Sequence, residues 1–510
     1  MEASGAGAAP AAAGRVRRAT AAYEAQHARF VLAGKGGLAF SRQYSHMYLK
    51  RLLALRGGLE AQARKQWPDA VLTDKVIALE KNVKTVVIGT LYKEQALKPS
   101  VMDEFVDEFT GAARKQERDN YCDAGDSLSL EDESGRTALV NLPPEHVERF
   151  VTGLVVAVYG QLNIVGDLHV HGVLLPGMPG QPARARSPPA PASASPSARR
   201  LLLVASGLSV GDACDMLRTE LLVDFLLGQV GGAADRELAG EVVRVLIAGG
   251  SVRPSVGVEG GAAGAAGSAA AAAAAAARKF AVGRREENRY AQPVKQLDSV
   301  LAELASSVPI DVMPGGHDPC NATLPQQPLH RCLFPHSERF ATTFRRVTNP
   351  YACKVGDVSL LATAGQPVHD LRRCTKGMDS VALMMQTLVW RHVAPTAPDS
   401  LACHPLETHD PFVLNELPHL YISGDQPAFQ TSLVVSNEDS KVRSRLVAVP
   451  RFHETGLVVL IDLASENLDC TTLHFEGLRD EEPQREREQS EQAAMDPNPA
   501  KMELEPAAAE

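Results

Sequence analysis

The chain has 510 residues, which suggests about three domains. Its formal net charge is −9, from 52 basic and 61 acidic side chains, and residues 476–510 alone hold eleven acids and four bases. The remaining body is therefore close to neutral. This balance argues against a protein that works only by binding nucleic acid through a strongly basic surface.

The eight cysteines are scattered, and none forms a Cys-x-x-Cys pair, so the sequence predicts no zinc ribbon or zinc finger. The first residues lack the basic stretch and apolar run of a secretory signal. No uninterrupted apolar run reaches the roughly 18 residues that a membrane-spanning helix requires. We therefore expect a reduced, soluble, intracellular protein without a membrane segment.

Four segments have compositions that do not favour packing. They are the Ala/Gly-rich residues 1–37, the Pro/Ala/Ser-rich residues 177–199, the Gly/Ala-rich residues 251–285 with their run of nine alanines, and the charged residues 476–510. We predict a disordered N-terminal segment, a linker or loop, a disordered insertion and a disordered acidic tail, respectively. Two blocks that can pack remain, residues 38–176 and residues 200–475.

The first block begins with an amphipathic helix and continues with short strands. The helix is predicted over Ser41–Arg56, where Tyr44, Met47, Tyr48, Leu52 and Leu55 share one face. The strands are predicted at Val83–Lys93, Leu128–Glu133, Thr137–Val140, Leu154–Leu162 and Asp167–Leu175. Five short strands with glycines at bends favour a small closed barrel of the OB-fold type.

The second block alternates buried strands with helices, and each strand runs into a glycine turn. The strands are predicted at Leu201–Ser206, Val242–Ala248 and Ile310–Met313, and further β-like runs follow between residues 358 and 462. This pattern indicates a layered α/β domain, which we interpret as a β-sandwich with flanking helices. The predicted fold class is thus mixed α+β and α/β.

Ligand sites in such domains lie at the carboxyl ends of strands. The residues at these ends are Gly207 and Ser209, then Gly250, then Gly316, His317 and Asp318, and finally Gly424 and Asp425. The order of these strand ends resembles the calcineurin-like metallophosphoesterases, whose metal ligands stand at the corresponding positions. His392 could retain one further imidazole.

The resemblance also shows what this chain lacks. Glycine supplies no metal ligand, and the third strand end keeps two candidate ligands, His317 and Asp318, out of roughly seven. Two candidates cannot hold two divalent ions, which need several carboxylates and imidazoles. We therefore predict an inactive phosphoesterase domain with no metal, no cofactor and no catalytic residue.

A barrel followed by an inactive phosphoesterase domain resembles the B subunits of the eukaryotic replicative DNA polymerases, and the delta branch of that family in particular. The stretches that carry the resemblance are Phe40–Tyr48, Leu128–Glu133, Leu221–Gly228, Val308–Pro314, Thr323–Pro328, Val347–Tyr351 and Pro395–Leu401. They occur in order across both packed blocks.

The resemblance implies a non-catalytic scaffold in the nucleus that acts in DNA replication and repair. Its expected partners are the cysteine-rich C-terminal domain of the catalytic subunit and a third subunit, and through these the sliding clamp and DNA. Arg42, Tyr44 and Tyr48 on the first helix are candidate partner contacts.

Three alternatives stay open at this point. The chain could be an active metal-dependent phosphodiesterase with a rearranged site. It could bind single-stranded DNA through its barrel, although residues 38–176 carry 16 bases and 19 acids. It could also belong with the B subunits of polymerase alpha or epsilon.

Overall fold

The structure is a computed structural model that describes residues 18–32, 42–99, 118–184, 199–211, 216–254, 289–436 and 442–476. Within these ranges the strands form three six-stranded sheets. Among the residues that the structure describes, no helix combines the length and the apolar character needed to cross a bilayer.

The first sheet is a barrel. Its strands are β2 (Val71–Thr73), β3 (Lys84–Glu94), β4 (Ser127–Glu131), β5 (Arg136–Val140), β6 (Val155–Leu162) and β7 (Leu168–Leu174). Their order is β2-β3-β4-β5-β7-β6, and additional pairing of β3 with β6 closes the sheet. The five predicted strands correspond to β3–β7, and the prediction of a closed barrel is confirmed.

Helix α1 (Ser45–Gln66) packs against the outside of this barrel. It is longer than predicted, because Leu59 and Ala63 extend the apolar stripe of Leu52 and Leu55 past two glycines. These side chains pack against Val86 and its neighbours on β3 and β6. The short helix α2 (Pro144–Arg149) connects β5 to β6.

The second and third sheets form a sandwich. Their strands are β1 (Tyr23–Ala25), β8 (Leu201–Ala205), β9 (Val242–Ala248), β10 (Ile310–Met313), β11 (Phe344–Arg346), β12 (Tyr351–Val355), β13 (Val358–Thr363), β14 (Leu420–Gln426), β15 (Gln430–Val435), β16 (Arg443–Pro450), β17 (Leu457–Asp462) and β18 (Cys470–His474). The strand orders are β1-β12-β13-β14-β16-β15 and β11-β10-β9-β8-β17-β18. Leu202 and Val204 of β8 point into the core between the two sheets, whereas Leu201 and Leu203 point to the opposite face of their sheet and are buried there beneath helices.

Helices cover both outer faces of the sandwich. They are α3 (Met216–Leu227), α4 (Ala233–Glu241) and α5 (residues 289–305) on one face, and α6 (Gln366–Cys374) and α7 (Ser380–Val389) on the other, with the short α8 (Phe452–Thr455) following β16. The predicted sandwich with flanking helices is therefore observed, and its sheets are mixed rather than purely parallel.

The prediction of disorder is wrong for residues 18–32. Strand β1 pairs antiparallel with β12, with Tyr23 opposite Val355. The Tyr23 ring lies between the guanidinium groups of Arg244 and Arg345, at 4.1 and 4.4 Å from the ring centroid. Phe30 is fully buried. A few aromatic anchors thus order a segment whose average composition is dominated by alanine and glycine.

The predicted linker and the predicted insertion also begin later than expected, because their first residues contact the sandwich. Residues 177–184 belong to the predicted linker, but Gln181 donates to the Arg443 carbonyl and Arg184 forms an ion pair with Asp357 at 2.8 Å. At the start of the predicted insertion, Val252 is buried and forms a β-bridge with Val210. Residues 185–198 and 255–285 of these segments, and residues 1–17, 33–37 and 477–510, lie outside the described residues.

The barrel and the sandwich share a core. One hydrophobic cluster contains Leu91 and Val156 of the barrel together with Leu371 of α6 and Leu388 of α7. The two modules are therefore packed directly on one another.

Arg51 of α1 lies at this junction and is completely buried. Its Nε donates to Asp410 Oδ2 at 2.8 Å, and its Nη1 donates to the carbonyls of Gly153 and Pro395 at 3.0 and 2.8 Å. Its Nη2 donates to the carbonyl of Ala397 at 2.6 Å. One guanidinium thus joins the barrel to the segment that follows α7.

Gly153→Ala should disrupt the junction. Gly153 has a φ of +91°, and a Cβ built there would lie 2.1 Å from the Pro395 carbonyl oxygen and 2.6 Å from Arg51 Nη1. We expect the free energy of unfolding, measured in urea, to fall by about 3 kcal/mol or more. The matched control is Gly135→Ala in the β4–β5 turn, where a Cβ meets nothing within 4 Å and we expect a change within about 0.5 kcal/mol. Equal stability of the two variants would contradict this account of the junction.

Candidate functional site at the strand ends

The turns that follow several sandwich strands meet at one cavity of about 920 Å³. Strands β8, β9 and β10 run parallel, as do β13, β14 and β16, so their carboxyl ends lie at the same side of the sandwich. Six predicted site residues line the cavity: Gly207, Ser209, Gly250, Gly316, His317 and Asp425. They were predicted to lie together because ligand sites in such domains lie at the carboxyl ends of strands, which we call the strand-end rule.

The glycine turns are packed against one another. Gly207 and Gly250 both have a φ of +67°, and a Cβ on Gly250 would lie 3.0 Å from the Gly207 Cα. A Cβ on Gly315 would lie 2.4 Å from the Gly250 nitrogen. Predicted site residue Gly424 lies beneath, where a Cβ would meet the Ala248 oxygen at 2.3 Å. A side chain would therefore collide with backbone at Gly315 and Gly424, and the positive φ and the tight contacts disfavour one at Gly207 and Gly250, whereas Gly316 has room for a Cβ.

Asp318 is buried beneath the cavity and holds the turns in place. Its carboxylate accepts hydrogen bonds from the backbone N–H groups of Gly315, Val252 and Gly250 at 2.7, 2.9 and 3.0 Å. Burial raises the pKa of the Asp318 carboxyl, and these backbone donors oppose that shift. The carboxylate that could have remained as a metal ligand is thus engaged with the backbone.

Asp425 is engaged as well. Its Oδ1 lies 2.6 Å from Arg451 Nε, and its carbonyl oxygen accepts a hydrogen bond from His369 Nε2 at 2.6 Å. Arg451 also pairs with Glu454 at 3.4 Å. Within the described ranges, no group of three or more histidine, cysteine or acidic side chains is arranged to hold a metal ion.

Several residues of the cavity were missed from the sequence. Arg451 directly follows β16, so the strand-end rule could have found it had it been applied to that strand. His369 and Gln366 lie at the start of α6, and His453 lies on α8. No sequence signal links these helices to the cavity.

His392 does not belong to this site, which corrects the prediction. It is buried at the junction of the modules, where its Nε2 donates to Asp410 Oδ2 at 2.9 Å and its Nδ1 accepts from the Ala394 N–H at 3.2 Å. Burial, reinforced by the Arg51 charge, lowers the pKa of His392 to about 4. Burial alone would raise the pKa of Asp410, but the Arg51 charge and the hydrogen bonds from His392 and Arg51 outweigh burial and hold that pKa well below its usual range.

The candidate partner contacts on α1 and just before it also face residues of this chain. Arg42 pairs with Glu407 at 3.5 Å, and the Tyr44 hydroxyl donates to the Cys403 carbonyl at 2.9 Å. Tyr48 is half-buried beneath the Arg51 guanidinium, and burial raises its pKa. The side chain of Arg42 is 42% exposed and Tyr44 is 40% exposed, so both retain free surface.

Two family models match the two modules. Residues 43–173 match the DNA polymerase delta subunit OB-fold domain, and residues 202–431 match the B-subunit family of DNA polymerase alpha/epsilon. The chain is 36% identical over 438 residues to a DNA polymerase delta small subunit of Oryza sativa subsp. japonica, which covers 85% of this chain and 93% of the relative. The chain belongs to the DNA polymerase delta small-subunit family.

Other members of the delta small-subunit family match over similar lengths. DNA polymerase delta subunit 2 of Drosophila melanogaster is 35% identical over 441 residues, or 86% of this chain and 94% of the relative. The small subunit of Saccharomyces cerevisiae is 30% identical over 483 residues, or 86% and 90%. The predictions of an OB-fold domain and of the delta branch are thus confirmed.

The neighbouring residues His317 and Asp318 test whether the Asp318 carboxylate holds the strand-end turns in place. Asp318→Ala removes the acceptor of three buried backbone N–H groups, so we expect a loss of about 3 kcal/mol or more in the free energy of unfolding. The exposed His317→Ala is the control and should change the stability by less than about 0.5 kcal/mol. A larger effect at His317 than at Asp318, measured by urea unfolding, would refute the assigned roles.

His392 makes the stability of the junction depend on pH. Its pKa of about 4 in the folded chain lies below the ordinary value of 6.5, so the unfolded chain binds a proton first as the pH falls. Stability is therefore full above about pH 7 and is lost towards pH 4, by about 3 kcal/mol from this group.

The measurement is urea unfolding between pH 7 and pH 4.5. His392→Gln should flatten the profile relative to the unmodified chain, whereas the exposed His46→Gln should leave it unchanged. Identical slopes for His392→Gln and the unmodified chain would show that the pKa of His392 is the same in the folded and the unfolded chain, and would contradict this account.

Proposed function

We propose that this chain is a non-catalytic accessory subunit of DNA polymerase delta in the nucleus. It binds the cysteine-rich C-terminal domain of the catalytic subunit and docks the third subunit, through which the complex reaches the sliding clamp and DNA during replication and repair synthesis. Family membership supports the assignment to the polymerase, and the site geometry supports the absence of catalysis.

The observation that carries the non-catalytic role is the packing of the glycine turns. An aspartate at position 250 would bring its Cβ to 3.0 Å from the Gly207 Cα, and the two nearby carboxylates, those of Asp318 and Asp425, are engaged in other contacts. We infer that the second module is a phosphoesterase-like domain whose metal site has been replaced by backbone packing. Such a domain can retain its shape without the ligands that its chemistry requires.

A scaffold must present its partners with surfaces in fixed positions. The shared core and the four hydrogen bonds of Arg51 meet this need, because they join the barrel to the sandwich. Obligate interfaces often bury more than about 2,000 Å², an area that the two modules together can offer more easily than either alone.

The barrel also exposes apolar side chains that suit a partner contact. Ile77, Ile164 and Val165 are 75%, 78% and 81% exposed. Ile164 and Val165 lie in the β6–β7 loop, whose Ile164 carbonyl accepts a hydrogen bond from Lys81 in the β2–β3 connection that also contains Ile77. Clustered exposed apolar residues are typical of interaction surfaces. Together with Arg42 and Tyr44, they are the contacts we assign to the partner subunits.

Co-expression tests the accessory role. The full chain should co-elute in size-exclusion chromatography with the catalytic subunit's C-terminal domain and the third subunit's N-terminal domain, each in equimolar amount. Failure of the correctly folded chain to co-elute with either domain would overturn the proposal. Ile164→Asp combined with Val165→Asp should reduce the yield of complex, and Glu237→Lys on the exposed face of α4, in the other module, serves as a surface-charge control.

The alternative of an active phosphodiesterase is tested on the same preparation. We expect elemental analysis to find less than stoichiometric manganese, iron and zinc in the purified subunit, and no hydrolysis of a generic phosphodiester. Stoichiometric metal together with turnover that His317→Ala abolishes would establish the enzyme instead.

A further inference from the structure

Two arginines at the strand-end cavity have no acidic partner among the described residues. Arg253 follows the turn after β9, and Arg289 begins the described part of α5. Both residues line the cavity. No carboxylate of the described chain lies within 4 Å of either guanidinium. Each guanidinium keeps its positive charge and carries a fork of N–H donors, so both arginines can bind an anion that enters the cavity.

The remaining charges of the cavity do not neutralise them. The acidic residues lining it are Asp425 and Glu454, and both pair with Arg451. Three arginines therefore face two carboxylates, which leaves a net positive charge centred on Arg253 and Arg289. Burial lowers the pKa of His369, which keeps that imidazole neutral near pH 7, so it adds a polar group rather than a charge.

Backbone donors lie along the same wall. The N–H groups of Gly316 and His317 donate to no acceptor within the described ranges, and both residues line the cavity. Helix α6 also begins here with Gln366, and its N-cap residue is a glycine that offers no side-chain acceptor to the free N–H groups. A helix N-terminus favours negative charge, so it acts in the same direction as the two arginines.

We propose that this cavity binds the phosphate group of a phosphate ester, with Arg253 and Arg289 as its principal ligands and without a metal ion. A phosphate carries several acceptor oxygens and up to two negative charges, so it can use guanidinium forks and backbone N–H groups that approach from different sides. The volume of about 920 Å³ accommodates a ligand of nucleotide size. This site does not depend on the accessory-subunit role.

Titration calorimetry on the full chain in the presence of EDTA tests the site. The probes are thymidine 5′-monophosphate, unphosphorylated thymidine, and a short oligothymidylate that lacks terminal phosphates. We expect the monophosphate or the oligothymidylate to bind at one site and thymidine not to bind. Binding of the monophosphate alone identifies a monoester ligand, and binding of the oligothymidylate identifies phosphodiesters of single-stranded nucleic acid.

Arg253→Gln combined with Arg289→Gln should weaken the binding about tenfold or more. The matched control is Arg200→Gln, because Arg200 lines a separate cavity together with Arg184 and His419. Thermal melting of each variant confirms that the fold is retained. The proposal is overturned if neither phosphate probe binds, if binding requires added metal, or if the double variant binds as tightly as the control.

Discussion

The structure depends on the complete burial of one arginine. A guanidinium is never uncharged in proteins, so its removal from water must be offset by hydrogen bonds and an opposite charge. Arg51 obtains them from Asp410 and from carbonyls on both sides of the junction, at Gly153 in the barrel and at Pro395 and Ala397 in the segment after α7. Loss of one partner from such a group costs about 3–5 kcal/mol. The two modules are therefore held in one relative position.

The turns at the strand ends of the sandwich are held as firmly as the junction between the modules. Parallel strands bring their turns to one cavity, as in enzymes built on such sheets, but here glycines let the turns touch and Asp318 binds their backbone. These glycine contacts and the Asp318 hydrogen bonds order the turns. A body whose modules and turns are fixed in this way presents a rigid surface, which suits a subunit of a polymerase complex.

Much of the fold could be predicted from the sequence, because it depends on local patterns. The apolar runs in both blocks predicted twelve of the eighteen strands to within a few residues, and the strand-end rule grouped six of the site residues. The short or edge strands β1, β2, β11, β12, β15 and β18 were not predicted. What the sequence could not reveal depends on distant pairs. Arg51 meets Asp410 across 359 residues, and Tyr23 meets Tyr351 across 328. His392 was misplaced for the same reason, since its partner lies at the junction and not at the strand ends.

Differential scanning calorimetry of the full chain tests most directly whether the barrel and the sandwich form one cooperative unit. We predict a single transition whose calorimetric enthalpy equals its van't Hoff enthalpy, and two separate transitions after Arg51→Met. Two well-separated transitions in the unmodified chain would contradict the claim that the buried arginine and the shared core join the modules into one body.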